Sequence, residues 1–173
     1  TKYKDNPEKM NAELAAVAQA GAMVVDTFKE FEQLVELATL FDGCAVAGRR
    51  IGVISNAGFE TVGMADTIHG PRYQVELATL CEHTEAAIRA ALAERKLDHL
   101  INIRNPLDVN PMSDEGVYET CARAMLEDPQ VDALVVSIVP FTPQLRTTPQ
   151  ELEHGPSLAD SLPELARRYG KPL

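Results

Sequence analysis

The sequence predicts an α/β fold, a doubly wound and mainly parallel sheet with helices on both faces. Apolar runs of strand length alternate with segments of helical periodicity through most of the chain. The run from Val131 to Val139 is apolar nearly throughout, as a central strand covered on both faces must be. Arg50 to Ser55 is a second apolar run, and it passes through a small polar turn directly into a helical segment. Right-handed crossovers would join such strands, and there is no internal repeat.

Each element follows from its own residues. Pro7 to Gln19 repeats Met10, Leu14, Val17 and Ala18 on one helical face, with Gly21 as the stop. Ala22 to Val25 is a short apolar strand. Thr27 and Glu30 have the spacing of a capping box, in which each side chain takes an N–H that the helix start leaves orphaned. The helix they open carries an apolar stripe of Phe28, Phe31, Leu34, Val35, Ala38 and Phe41, expected to be buried. Gly43 to Gly48 is a loop before the Arg50–Ser55 strand. The helix Phe59 to Ile68 ends at His69-Gly70-Pro71, a stop followed by a breaker.

Tyr73 to Leu80 alternates as a strand, and Thr84 to Arg95 is a helix with Ala87, Ile88, Ala91 and Leu92 inward. Leu100 to Ile103 is a short apolar piece. It leads into Asn105-Pro106-Leu107-Asp108-Val109-Asn110-Pro111, an extended loop because each proline disfavours helix at the residue before it. Asp114 to Leu126 is a helix with Val117, Cys121, Ala124 and Met125 at core spacing, closed by Asp128-Pro129. Thr142 to Pro156 is a polar loop without a pattern. Ser157 to Tyr169 is the last helix, with Pro163 as the place where it would break, and Gly170 to Leu173 starts a further strand. A chain ending where a strand begins is expected to be a piece of something larger.

Composition narrows the function classes. A length of 173 residues suffices for a real core without disulfide or metal staples. A net charge of −10, spread along the chain, argues against a nucleic-acid or anionic-membrane surface. Cys44, Cys81 and Cys121 form no C-x-x-C pair and are expected to be small, buried, reduced residues of a cytoplasmic protein. There is no signal-peptide pattern and no bilayer-spanning apolar run. His69, His83, His99 and His154 have no glycine-rich or metal-ligand neighbourhood, so each is expected at the surface or in a cap, and no metal site is expected.

The turn after Ser55 carries the most chemistry. A strand feeding a tight turn into a helix start aims several backbone N–H groups at one point, which attracts anions. In an open α/β sheet that point lies at the carboxyl end of a strand, where such folds place ligands. Gly58 lets the backbone come close to a ligand, and Ser55 and Asn56 can add side-chain hydrogen bonds. The same residues also make an ordinary strand-to-helix turn.

Three stretches, in order, resemble the NDP-forming acyl-CoA synthetases, the family of ADP-forming acetyl-CoA synthetase and succinyl-CoA synthetase. They are Ala20-Gly21-Ala22-Met23-Val24-Val25-Asp26 before a Phe/Leu-rich helix, Gly48-Arg49-Arg50-Ile51-Gly52-Val53-Ile54-Ser55-Asn56-Ala57-Gly58, and Asn105-Pro106-Leu107-Asp108-Val109. The second is similar to the family's strand and "SNAGG" turn, the third to its "NPVD" loop. The resemblance implies a flavodoxin-like CoA-ligase domain over residues 21–173, cut short at its C-terminal end, with residues 1–20 a helical connector. It implies a parent enzyme that joins a small-molecule acid to CoA at the expense of a nucleoside triphosphate, using CoA, ATP or ADP, and Mg. Its CoA-binding and ATP-grasp domains or subunits would be partners, and this segment would bind no cofactor itself. In the family a histidine of another segment carries the phosphate as phosphohistidine, which helix N-termini stabilise. Ser55, Asn56, Ala57, Gly58 and Phe59 would form one such helix start, with Asn105 and Asp108 on the loop beside it; no catalytic residue is assigned.

This chain departs from the family pattern in two places. Phe59 and then Glu60 stand where a second glycine is usual, so a carboxylate enters the first helical turn. Glu60 either competes with phosphate for the positive helix end or faces solvent, where it favours the dipole. Counting back from Gly21 without gaps puts Lys2 in the carrier histidine's place; with a gap, that histidine precedes residue 1. The departures leave a second expectation open: a non-catalytic docking or regulatory relative, for example within a protein acyltransferase. An FMN-binding domain would need a Ser/Thr-rich phosphate loop and flanking aromatics, which the turn does not supply.

Overall fold

A computed structural model describes residues 7–42, 44, 46–70 and 73–173. The chain divides into two compact units, Thr1–Gly43 and Cys44–Leu173. The expected boundary at 20/21 falls inside the first.

The first unit holds α1 (Pro7–Gln19) and α2 (Phe28–Leu40), with Gly21 in a left-handed conformation just past α1. The Thr27–Glu30 capping box forms as expected, and Glu30 accepts from the Thr27 N–H at 3.1 Å. Two expectations fail here. Ala22 to Val25 joins no ladder among the described residues. The α2 stripe is not buried: Phe28 is 74% exposed, and only Leu34 and the C-cap Phe41 are half-buried. Periodicity makes the helix but does not supply a surface for its apolar face.

In the second unit a parallel sheet is organised around β1 (Arg50–Ser55). β6 (Ala133–Ser137) lies along one side in the register Ile51↔Ala133 to Ser55↔Ser137. Two short strands share the other side. β4 (Glu76–Leu77) pairs with Arg50 and Ile51, and β5 (Leu107–Asp108) pairs with Ile54 and Ser55. Beyond β6, Leu134 N–H donates to the Pro172 carbonyl at 2.9 Å, so the chain's last residues run where the expected further strand begins.

The helices are α3 (Gly58–Thr67), α4 (Glu82–Glu94), α5 (Glu115–Glu127), α6 (Pro149–Leu152) and α7 (Leu158–Tyr169). Side chains alternate across a strand, and β1 shows it: Gly52 and Ile54 face α5, while Ser55 faces α3. A Cβ on Gly52 would meet Leu134, Met125 and Val131 atoms at 3.1–3.3 Å, so the missing side chain lets α5 lie close to the sheet. α5 packs between α4 and α7, and it buries Val117, Tyr118, Cys121, Ala122, Ala124, Met125 and Leu126. With α3 on the opposite face, this is the doubly wound fold expected.

Several boundaries differ from the sequence expectation. His69-Gly70 is not only a stop: it forms β2 (His69–Gly70), antiparallel to β3 (Tyr73–Gln74). The expected strand Tyr73–Leu80 is therefore divided between that hairpin and β4. The Asn105–Pro111 loop contains β5, and the polar loop 142–156 contains α6, opened by a Thr148–Glu151 capping box. α7 continues through Pro163 without breaking. Cys121 is buried, but Cys81 is half-buried and Cys44 exposed, because neither lies on a core-facing helical position. Burial pushes the Cys121 thiol up to about 12. All four histidines are exposed. Lys2, Gly43 and Pro71 lie outside the described residues.

Candidate functional site

The ends of β1, β5 and β6 meet the start of α3. Ser55 and Asn56 are almost wholly buried there. Ser55 Oγ accepts the Ala57 N–H at 3.1 Å and donates to Glu60 Oε2 at 2.7 Å. Asn56 faces the loop after β6. Its Oδ1 accepts the Val139 N–H at 2.9 Å, and its Nδ2 lies 3.5 Å from both the Val139 carbonyl and Thr142 Oγ1. Asn56 therefore anchors that loop and is not free for a ligand.

Ala57 is the N-cap of α3 and makes no side-chain cap. The first intrahelical donors are Glu60 and Thr61, both to the Ala57 carbonyl, at 3.0 and 3.2 Å. The N–H groups of Gly58 and Phe59 donate to nothing among the described residues, as the start of a helix requires. The Phe59 side chain is 76% exposed. A Cβ on Gly58 would stand 3.0 Å from Asp108 Oδ2, so Gly58 admits the Asp108 carboxylate to the helix start. The other Asp108 oxygen accepts the Asn110 N–H at 3.0 Å.

Asn105 is elsewhere. It fills the gap where β4 gives way to β5, and there its amide replaces the missing strand. Asn105 Oδ1 accepts the Val53 N–H at 2.9 Å, and Nδ2 donates to the Ile51 and Ala78 carbonyls at 2.7 and 2.9 Å. A cavity of about 310 Å³ opens beside it at the sheet edge, lined by Leu77, Leu80, Glu85 and Arg104 among others. The structure thus brings together Ser55, Ala57, Gly58, Phe59 and Asp108, while Asn105 and Asn56 hold the framework.

Glu60, expected in the first turn of α3, completes the cluster with Ser137 and Tyr118, which sequence reasoning did not place there. Glu60 does not face solvent: it is half-buried, and its Oε2 also accepts from Ser137 Oγ at 2.5 Å. The Tyr118 hydroxyl donates to the Ser137 carbonyl at 3.2 Å. Burial, together with the Glu60 and Asp108 charges, pushes the Tyr118 phenol well above its ordinary range, so it stays a neutral donor. The only sequence signal for Ser137 was its place as a polar residue within the apolar Val131–Val139 run.

A parallel sheet wound on both faces, with a helix start at the carboxyl end of its central strand, defines the class: a doubly wound α/β domain. The chain is similar to the acetate–CoA ligase [ADP-forming] II subunit alpha of Pyrococcus furiosus, at 28% identity over 160 residues, covering 92% of this chain and 32% of that protein. The resemblance to the NDP-forming acyl-CoA synthetases read from its motifs therefore extends over nearly its whole length.

Two solved structures share the fold. A Pyrococcus horikoshii OT3 protein is 22% identical with a TM-score of 0.65, covering 96% of this chain and 40% of its own. The dinucleotide-forming acetyl-coenzyme A synthetase 1 of Candidatus Korarchaeum cryptofilum, in complex with phosphate and ADP, is 18% identical with a TM-score of 0.63, covering 94% and 37%. No family model matches the chain. It spans about a third of the length of the curated relative it matches.

Proposed function

We propose that this chain is the ligase domain of an NDP-forming acyl-CoA synthetase, and that the α3 start is its anion-binding element. The observation that carries the proposal is the pair of open N–H groups on Gly58 and Phe59 at the carboxyl end of β1, in a chain similar to an acetate–CoA ligase alpha subunit over 92% of its length. Two aligned N–H donors and the positive helix end stabilise a negative charge brought to them. On this proposal residues 21–173 form the ligase domain and 1–20 a connector.

The phosphohistidine, the small acid, CoA, the nucleotide and Mg belong to other segments of a cytoplasmic parent. Its CoA-binding and ATP-grasp parts are the partners. This chain contributes Ser55 and Asn56 to hold the turn, Gly58 and Phe59 to donate, and Asp108 to set the charge beside them. The direct test is calorimetric titration with inorganic phosphate. Gly58→Val, whose side chain would crowd Asp108 and the helix start, is expected to lose binding while keeping the thermal transition; equal binding in both proteins would refute the assignment.

A second proposal draws on the inward-facing Glu60: a docking or regulatory relative that kept the fold without the phosphate chemistry. Incubating the full-length protein with labelled ATP separates the two. An acid-labile phosphoprotein supports the synthetase, and no phosphoprotein supports the docking relative.

A further inference from the structure

Ser55 and Ser137 are register partners on adjacent parallel strands, and both hydroxyls donate to one oxygen of Glu60, at 2.7 and 2.5 Å. Glu60 is the third residue of α3, where a glutamate commonly reaches back to the N-cap N–H. Here Ser55 Oγ already holds the Ala57 N–H, and the Glu60 carboxylate turns to the sheet instead. Asp108 approaches the same helix start from the loop after β5, and the Tyr118 hydroxyl lies beneath, on the Ser137 carbonyl. No cation among the described residues pairs with either carboxylate. The two serine hydroxyls and the positive potential of the helix start are thus engaged by the chain's own negative charge, beside the open N–H groups of Gly58 and Phe59.

We propose that Glu60 is an internal occupant of the α3 start, an autoinhibitory contact that weakens phosphate binding until its carboxylate is displaced from Ser55 and Ser137. This rests on the α3 start being an anion site and specifies how that site is controlled. Phosphate at the Gly58 and Phe59 N–H groups meets two like charges in a partly buried setting, where repulsion is poorly screened. Removing the Glu60 charge removes one source of that repulsion, and removing the whole side-chain acceptor also releases both serine donors.

The test is a titration of the 173-residue chain with inorganic phosphate, followed through the Gly58 and Phe59 amide resonances. It is run on the unchanged protein, Glu60→Gln and Glu60→Ala. Both variants are expected to bind at least ~10-fold more tightly than the unchanged protein, with the shifts centred on those two amides. Equal affinity in all three, at the same amides, overturns the role of Glu60 and leaves the anion site standing. Absence of shifts at Gly58 and Phe59 in every protein overturns both. Glu60→Gln keeps an acceptor for the two serines, so it tests the charge even where Glu60→Ala fails to fold.

Discussion

β1 has a carboxylate fastened at each end, and the two are handled in opposite ways. At its start Asp132 accepts the Arg50 side chain at 2.7 and 2.9 Å and the Arg50 backbone N–H at 2.9 Å. The Arg50 guanidinium and N–H hold the Asp132 carboxyl down at about 2. At its far end Glu60 receives only serine hydroxyls, with Asp108 close by and no cation paired to either among the described residues. The first arrangement is a compensated joint that sets where strand pairing begins. The second leaves negative charge at a helix start, a surplus that joining strands does not require. That is the end at which the proposed anion site lies.

The largest effect should come from the middle of the same strand. Asn105→Ala leaves the Val53 N–H and the Ile51 and Ala78 carbonyls without their partner. A loss of about 3 kcal/mol in denaturant unfolding is expected. A loss under about 1 kcal/mol would mean that β4 and β5 can close the gap unaided.

Asp132→Asn sharpens the contrast between the ends. Because the folded-state pKa lies below the ordinary 3.8, the carboxylate's contribution is present above that value and is lost as pH falls through it toward about 2. Urea midpoints of the two proteins should differ most at neutral pH and converge over that acid window. Parallel curves down to about pH 2 would remove Asp132 as the source of acid sensitivity.

Phe59→Ser should have the smallest effect. The side chain is 76% exposed, so stability should change by no more than about 0.5 kcal/mol in a thermal melt. A larger loss would show that something covers Phe59 in solution.

Much of the fold is legible because local rules and the packed result agree. α1 and β1 occur with their expected limits, and the stripe Val117, Cys121, Ala124, Met125 is buried. The Thr27–Glu30 box is visible from spacing alone, and so is Thr148–Glu151, whose Pro149 at the helix start was the overlooked signal for α6. The candidate site is legible only in part. Gly58 and the turn announce a helix start, but Glu60 has two rotamer directions open to it, toward solvent or toward the sheet. The position of Ser137, 77 residues away in sequence, settles which one it takes.

The sequence by itself determined the longer helices and the two main strands, where several of them start, and that the strands are parallel and wound on both faces. Those properties follow from periodicity, caps and prolines, which act within a few residues of one another. Tertiary structure decided that Asn105 stands in for a missing length of strand and that Glu60 turns inward. It also decided that Tyr73 to Leu80 is divided between two pairings. Each depends on a hydrogen-bond partner brought close only when β1 gains its neighbours, so no local pattern encodes it.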